Sequence, residues 1–264
     1  MRIDVYLTEN GYAPSRQRAR VLIEEGKVMV DGKAVIKPSQ PIEGEDHDVR
    51  VTDDLPYVGR GGLKLEAALD AFGISVSGCH ALDIGASTGG FTDCLLQRGA
   101  VSVCAVDAGA GQLAKKLADD SRVTSLEHTN ARELTVGQIG GIPVDLIVMD
   151  VSFISATYIL PRFPSLLKEG GDAICLIKPQ FEVGKSMLGK GGIVKSPRAH
   201  RYAVERVLAS GSALGLVPVG LIGSPIVGGG GNREFLVHLV NGGDARASVS
   251  EKCIAEVTRE EIKC

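Results

Sequence analysis

Two sets of residues in this sequence have types and spacing suited to chemistry. The first is the loop Asp83-Ile84-Gly85-Ala86-Ser87-Thr88-Gly89-Gly90-Phe91, followed by Asp107. Glycines there let backbone amides at a helix N-terminus approach a ligand closely, and an acid at the end of the next strand can accept both hydroxyls of a ribose. Asp107 serves a dinucleotide and S-adenosylmethionine equally. The loop discriminates better: a dinucleotide fingerprint starting at Gly85 needs glycine at position 87, where Ser87 stands. A pyrophosphate also prefers neutral or positive surroundings, whereas Asp83 at the strand tip suits a cationic or amino-bearing ligand such as the methionine end of S-adenosylmethionine. Taken alone, the loop also reads as a tight strand-to-helix turn. The second set is four polar residues at the tips of apolar elements: Lys64, Asp150, Lys178 and Glu234. Any one of them alone reads as a surface charge.

The elements that must position these residues follow from periodicity. Short β-rich apolar runs occur at Cys79–Ile84, Val101–Val106, Val123–Leu126, Val144–Met149, Ala173–Ile177, Val217–Ile222 and Phe235–Leu239. Helical patterns lie between them at Leu63–Phe72, Phe91–Arg98, Gln112–Ala118, Tyr158–Leu167 and Pro197–Leu214. Seven strands alternating with helices predict a doubly wound α/β sheet with its ligand at the carboxyl ends of the strands. In such a sheet Asp150, Lys178 and Glu234 meet at one rim.

Residues 1–55 read differently. Residues 1–40 carry seven basic and five acidic side chains, 43–54 six acidic and one basic, and 55–264 equal numbers of each, so the formal net charge of -3 hides a basic head and an acidic connector. The head reads as helix, helix, hairpin. Ser15 caps a helix to Glu25, on which Arg16 and Arg20 share a face beside Arg18. The Asp31-Gly32 turn joins Lys27–Val30 to Lys33–Ile36. This basic surface fits phosphate contacts and fits a solvated helix face equally well. The acidic run ending at Asp53-Asp54-Leu55-Pro56 marks a boundary, giving domains of 1–55 and 56–264.

Composition narrows the class. The chain has 34 glycines in 264 residues, and 16 of them fall at 59–62, 85–90, 109–111, 184–192 and 228–231, places that border the proposed site. No run approaches the ~20 apolar residues of a membrane helix, and Met1-Arg2-Ile3-Asp4 is not a signal peptide, so a soluble, cytoplasmic protein is expected. Six cysteines without a CxxC pair predict mostly buried free thiols, and five scattered histidines predict no metal site.

Met1–Pro38, with Ser15-Arg16-Gln17-Arg18-Ala19-Arg20 and Gly26-Lys27-Val28-Met29-Val30-Asp31-Gly32, resembles the S4-like RNA-binding module. Lys64, Asp150, Lys178 and Glu234, in this order, resemble the Lys-Asp-Lys-Glu tetrad of FtsJ-like ribose 2′-O-methyltransferases. Arg60-Gly61-Gly62-Leu63-Lys64-Leu65-Glu66, Gly89-Gly90-Phe91-Thr92-Asp93, Met149-Asp150-Val151-Ser152-Phe153-Ile154-Ser155 and Ile177-Lys178-Pro179-Gln180-Phe181-Glu182 are similar to the TlyA family, often labelled haemolysins. The similarity spans nearly the whole chain; Gly59 departs from it, standing where many relatives have Ser.

The resemblance implies a small α+β S4-like domain joined to a doubly wound, seven-stranded, Rossmann-like methyltransferase sheet. It implies S-adenosylmethionine held by Asp83, Gly85, Ser87, Thr88, Gly89, Gly90, Phe91, Asp107, Asn130 and Asp150. It further implies ribosomal RNA or ribosomal subunits as partners, contacted by Arg16, Arg18, Arg20, Lys33, Arg60, Lys185 and Lys190. The reaction would be in-line methyl transfer to a ribose 2′-hydroxyl, with much of the catalysis supplied by alignment of donor carbon and acceptor oxygen. Lys178 is the candidate general base. A free lysine, with a pKa of ~10.4, is charged at neutral pH, and holding one neutral takes about 4 kcal/mol. Lys64 and a sulfonium would favour the neutral amine, while Asp150 and Glu234 oppose it. The basic, glycine-rich segment Phe181–Lys195 is expected to be flexible and to close over the RNA. Phe153 or Phe181 could stack on a nucleotide swung out of its helix. The competing readings are an RNA-binding protein with a vestigial catalytic domain, a haemolysin-like membrane-lytic protein, and a nicotinamide dehydrogenase.

Overall fold

The structure, a computed structural model, describes residues 1–24, 26–35, 37–44, 47–51, 56–228, 231–242 and 248–259. The expected helix end at Glu25, strand end at Ile36, linker residues Asp53, Asp54 and Leu55, and Gly229 and Gly230 lie outside the described residues. The chain divides into two compact units, Met1–Leu55 and Pro56–Cys264.

The first unit comprises α1 (Ile3–Glu9), α2 (Arg16–Glu24), β1 (Val28–Val30), β2 (Lys33–Ala34) and β3 (Val49–Val51). Ser15 caps α2 by accepting a hydrogen bond from the Arg18 amide at 3.2 Å. Asp31 and Gly32 both take positive φ, 51° and 74°, as a two-residue type I′ hairpin turn demands. The strand β3 pairs with β1 on the side opposite β2, inside the stretch read from sequence as an acidic connector. Its valines pack against the core of Leu7, Leu22, Ile23 and Val28, while Arg50 points outward.

The second unit comprises α3 (Gly61–Phe72), β4 (His80–Ile84), α4 (Gly90–Gln97), β5 (Ser102–Val106), α5 (Lys115–Ala118), β6 (Val123–Leu126), β7 (Val144–Met149), α6 (Phe163–Leu166), β8 (Leu167–Ile177), α7 (Pro179–Glu182), α8 (Pro197–Ser212), β9 (Leu216–Gly223), β10 (Phe235–Asn241) and α9 (Glu251–Arg259). Its seven-stranded sheet has the order β6-β5-β4-β7-β8-β10-β9. The strands β4 to β8 run parallel, and β10 is inserted antiparallel to both neighbours. Alternate residues feed two cores on opposite faces: Ile147, Met149, Cys175 and Ile177 on one, Leu146, Val148, Ile174 and Leu176 on the other. Both faces are covered, as a parallel sheet requires.

The structure departs from three element expectations. The helix read at Tyr158–Leu167 is two 3₁₀ turns and the short α6, because Pro161 and Pro164 lack the amide donors a continuous helix needs. The strand read at Ala173–Ile177 begins six residues earlier, at Leu167, through a polar and glycine-bearing stretch. The helix read at Gln112–Ala118 is only Lys115–Ala118.

Candidate active site

The sheet order brings the carboxyl ends of β4, β5, β7 and β8 to one rim. Asp150 directly follows β7 and Lys178 directly follows β8. In the antiparallel pairing Phe235 lies opposite Ile177, so Glu234, one residue before, arrives beside Lys178. The four tetrad residues form two ion pairs. Lys64 Nζ donates to Glu234 Oε2 at 2.5 Å, and both side chains are buried. Lys178 Nζ lies 2.6 Å from Asp150 Oδ1, the two side chains 11% and 21% exposed. Gly228 leaves room for this arrangement: a Cβ there would stand 1.9 Å from Glu234 Oε1.

An open cleft lies on this rim, lined by Arg60, Gly85, Ser87, Phe91, Asp150 and Lys178 among others. Gly85 has φ 86°, and a Cβ on it would lie 2.6 Å from the Asp150 carbonyl oxygen, so only glycine fits between the β4 and β7 loops. Ser87 adopts φ 48°, uncommon for a residue with a Cβ, and its amide donates to Asp107 Oδ2 at 2.8 Å. Gly109 donates its amide to Asp107 Oδ1 at 2.7 Å. These two bonds hold the Asp107 carboxylate behind the glycine loop.

Of the residues expected to hold a cofactor, Gly85, Ser87, Thr88, Gly90, Phe91 and Asp150 line the cleft. Asp83, Gly89, Asp107 and Asn130 are outside that lining. Gly89 is the left-handed N-cap of α4, with φ 94°. Asn130 caps the 3₁₀ turn Ala131–Glu133, its side-chain oxygen accepting from the Arg132 amide at 3.1 Å. Asp83 is fully buried, and burial raises its pKa to about 7. Thr92 donates to its Oδ2 at 2.7 Å, while Oδ1 is buried without a hydrogen-bond partner. A carboxylate half-satisfied beneath a ligand cleft fits a positively charged ligand above it.

The residues expected to contact RNA are dispersed. Arg60 lines the cleft at the start of α3. In the first unit Arg20 and Lys33 are exposed and Arg18 is half-buried, whereas Arg16 reaches back to the buried Asp4 at 3.3 Å. Lys185 and Lys190 are exposed on short 3₁₀ turns. The segment they belong to makes contacts with the rest of the unit at its two ends. Buried Asn232 accepts from the Val194 amide at 2.9 Å and donates to the Gly192 carbonyl at 3.2 Å, and Val183 and Val194 join a small apolar cluster. Phe153 is 92% exposed, with its ring 5.3 Å from that of half-buried Phe181.

Two residues in this region escaped the sequence reading. Ser152 accepts a hydrogen bond from Lys178 Nζ at 2.7 Å. Glu182, 2% exposed, accepts from Ser155 Oγ at 2.5 Å and from the Ala156 amide at 2.7 Å. The only sequence signal for the second is an acid flanked by Phe181 and Val183, four residues beyond Lys178.

Comparison with known proteins bears on this geometry. The model of the FtsJ-like methyltransferase family matches residues 57–241, and that of the S4 domain matches residues 1–48. The chain belongs to the FtsJ-like methyltransferase family. Within it, the chain falls in the TlyA group. It is 46% identical to the "16S/23S rRNA (cytidine-2'-O)-methyltransferase TlyA" of Mycobacterium tuberculosis strain H37Rv, over 90% of this chain and 89% of that one. It is 40% identical to "Hemolysin A" of Brachyspira hyodysenteriae, over 91% of this chain and 100% of that one. A solved structure from Streptococcus thermophilus, provisionally named a hemolysin, is 39% identical with a TM-score of 0.79, covering 98% of this chain and 94% of that one. In this FtsJ-like methyltransferase the Lys-Asp-Lys-Glu set therefore sits on a methyltransferase fold beside an open ligand cleft.

Proposed function

We propose that this chain methylates the 2′-hydroxyl of cytidine ribose in ribosomal RNA, in the cytoplasm, using S-adenosylmethionine, with the S4 unit holding the RNA. The observation that carries the proposal is the disposition of the two lysines. Lys178 lines the cleft, whereas Lys64 is buried against Glu234 and outside the lining. The amine available to an acceptor is thus that of Lys178.

S-adenosylmethionine, when bound, supplies an electrophilic methyl group on a cationic sulfur. The residues fit such a group: Gly85 and Gly90 line the cleft, the Asp107 carboxylate is fixed beside the glycine loop by two backbone amides and would accept from a ribose, and the unpartnered oxygen of Asp83 favours positive charge. Lys178 would take the proton of the 2′-hydroxyl as that oxygen attacks. Asp150 pairs with the charge of Lys178, Glu234 orients Lys64, and Lys64 in turn satisfies a carboxylate that would otherwise be buried unpaired. The exposed ring of Phe153, backed by Phe181, offers a stacking face for a nucleobase turned out of its helix. Arg18, Arg20, Lys33, Arg60, Lys185 and Lys190 would contact RNA phosphates.

Lys178→Ala tests the assignment. Methyl transfer from labelled S-adenosylmethionine to ribosomal subunits should be lost while cofactor binding, measured by calorimetry, persists; an active variant overturns the role of Lys178. The hemolysin name attached to two relatives raises membrane lysis as a second reading. Among the described residues no helix is long and apolar enough to cross a membrane. Leakage of dye from liposomes at submicromolar purified protein would favour that reading.

A further inference from the structure

The amine of Lys178 has two close partners, and they do different jobs. Asp150 Oδ1 is 2.6 Å away, but it takes no hydrogen bond. The aligned hydrogen bond runs to Ser152 Oγ, at 2.7 Å. Asp150 therefore contributes charge, and Ser152 contributes direction. When an amine acts as a base its lone pair must point along the line to the incoming proton, and a four-carbon side chain has several rotors that could turn it elsewhere. A hydrogen bond from one N–H to a fixed acceptor removes most of that freedom.

Ser152 is itself exposed, so something else must fix it. It belongs to a short strained loop: Phe153, next in sequence, has φ 65° in spite of its bulk. The far end of that loop is clamped. Buried Glu182 accepts from Ser155 Oγ and from the Ala156 amide, which leaves the two oxygens of the carboxylate committed to residues 155 and 156. Arg206 donates to the Glu182 carbonyl at 2.5 Å, tying the clamp to α8. Burial raises the Glu182 pKa, and the bonds from Ser155 and Ala156 oppose that rise. Glu182 lies four residues after Lys178, on the α7 turn, and Ser155 lies three residues after Ser152. One carboxylate thus locks the loop carrying Asp150 and Ser152 to the loop carrying Lys178.

We infer that Ser152 is a positioning residue that aims the Lys178 amine at the acceptor hydroxyl, and that the Glu182–Ser155 clamp holds Ser152 in register. The inference rests on the methyl-transfer reading above. In that step the hydroxyl proton passes to Lys178 Nζ while the oxygen–methyl bond forms, the carbon–sulfur bond breaks, and its electron pair stays on sulfur. Ser152 gives up nothing in the balance; it only keeps the amine in line.

The test is steady-state kinetics on ribosomal subunits with the full chain. Ser152→Ala should lower kcat by about tenfold, part of the 10²–10⁴ a positioned base contributes, with KM for RNA and for S-adenosylmethionine unchanged within twofold. Ser152→Thr, which restores a hydroxyl at the same place, should recover most of the loss. Ser155→Ala removes one clamp bond and should lower kcat in the wild-type background yet add nothing to Ser152→Ala, because the two act along one path. Unchanged kcat in Ser152→Ala, no recovery with Thr, or a Ser155 effect that simply adds would each overturn the inference. If the wild-type chain itself transfers no methyl group, the methyl-transfer reading has failed instead, and the two failures are distinguished by that control.

Discussion

S-adenosylmethionine should bind more tightly as pH rises from 6 to 7.5, and the cause is Asp83. In the free protein burial raises its pKa to about 7. If the bound ligand holds a unit positive charge roughly 6 Å from it, at an effective dielectric near 20, the carboxylate is favoured by about 3 kcal/mol. That moves its pKa in the complex to about 5, since each tenfold change is about 1.4 kcal/mol. At pH 6 the carboxyl would be about 90% protonated before binding and about 10% after, so binding releases about 0.8 proton and is nearly tenfold weaker than at pH 7.5. The ligand's own amino group titrates near ~7.7–8.0, which is why the comparison stops at pH 7.5. Calorimetry in two buffers of different ionisation enthalpy reads the proton release directly. Asp83→Asn should flatten the dependence, and S-adenosylhomocysteine, without the sulfonium charge, should show a weaker one. Equal affinity at both pH values, with no proton released by the wild-type chain, would refute the electrostatic reasoning.

The same group predicts a stability effect of known sign. Asp83 has an ordinary carboxylate pKa when unfolded and about 7 when folded, so its stabilising contribution is complete below ~4 and is lost as pH rises toward ~7. Asp83→Asn in the free protein should therefore gain stability over wild type at pH 8 and keep only about a third of that advantage at pH 5 in denaturant titrations. Gly228→Ala would push its Cβ to 1.9 Å from Glu234 Oε1, displacing the partner of buried Lys64; stability should fall by about 3 kcal/mol and methyl transfer with it, and a fully active, equally stable variant would contradict the packing described. In the S4 unit Arg20→Ala is the clean probe, and should flatten the salt dependence of RNA binding by about one phosphate contact. Arg16→Ala confounds that measurement, because Arg16 also neutralises Asp4.

The legibility of the fold varied with how local its causes are. The β4, β5, β7 and β10 strands announce themselves as apolar runs, and the Asp31-Gly32 turn is set by two residues. The strand β3 was hidden because its three residues, Val49-Arg50-Val51, sit in an acidic stretch and gain their place only by pairing with β1. The start of β8 was hidden by Lys168-Glu169-Gly170-Gly171-Asp172, a stretch with poor strand propensity whose ends, Leu167 and Asp172, are placed by pairing with β7 and β10. The site followed the same rule. The glycine loop and Asp107 are read from spacing within one strand-loop-helix unit. The Lys64–Glu234 pair joins residues 170 positions apart, and no short-range pattern encodes it. Resemblance to the FtsJ-like tetrad named those residues before geometry did. Glu182 and Ser152 were missed because their importance lies in which loops they tie together, a property of the folded chain alone. In the segment Phe181–Lys195, expected to be flexible and to close over RNA, the glycines gave no hint that Asn232, from a distant loop, bonds to Gly192 and Val194.

The central claim is that this chain places a methyl group on ribose oxygens of ribosomal RNA. Mass spectrometry of ribosomal RNA nucleosides from cells with and without the protein tests it most directly. The account predicts 2′-O-methylcytidine at one or more discrete positions that disappears when the chain is removed, returns with the wild-type chain and does not return with Lys178→Ala. An identical methylation profile in the presence and absence of the protein would contradict it.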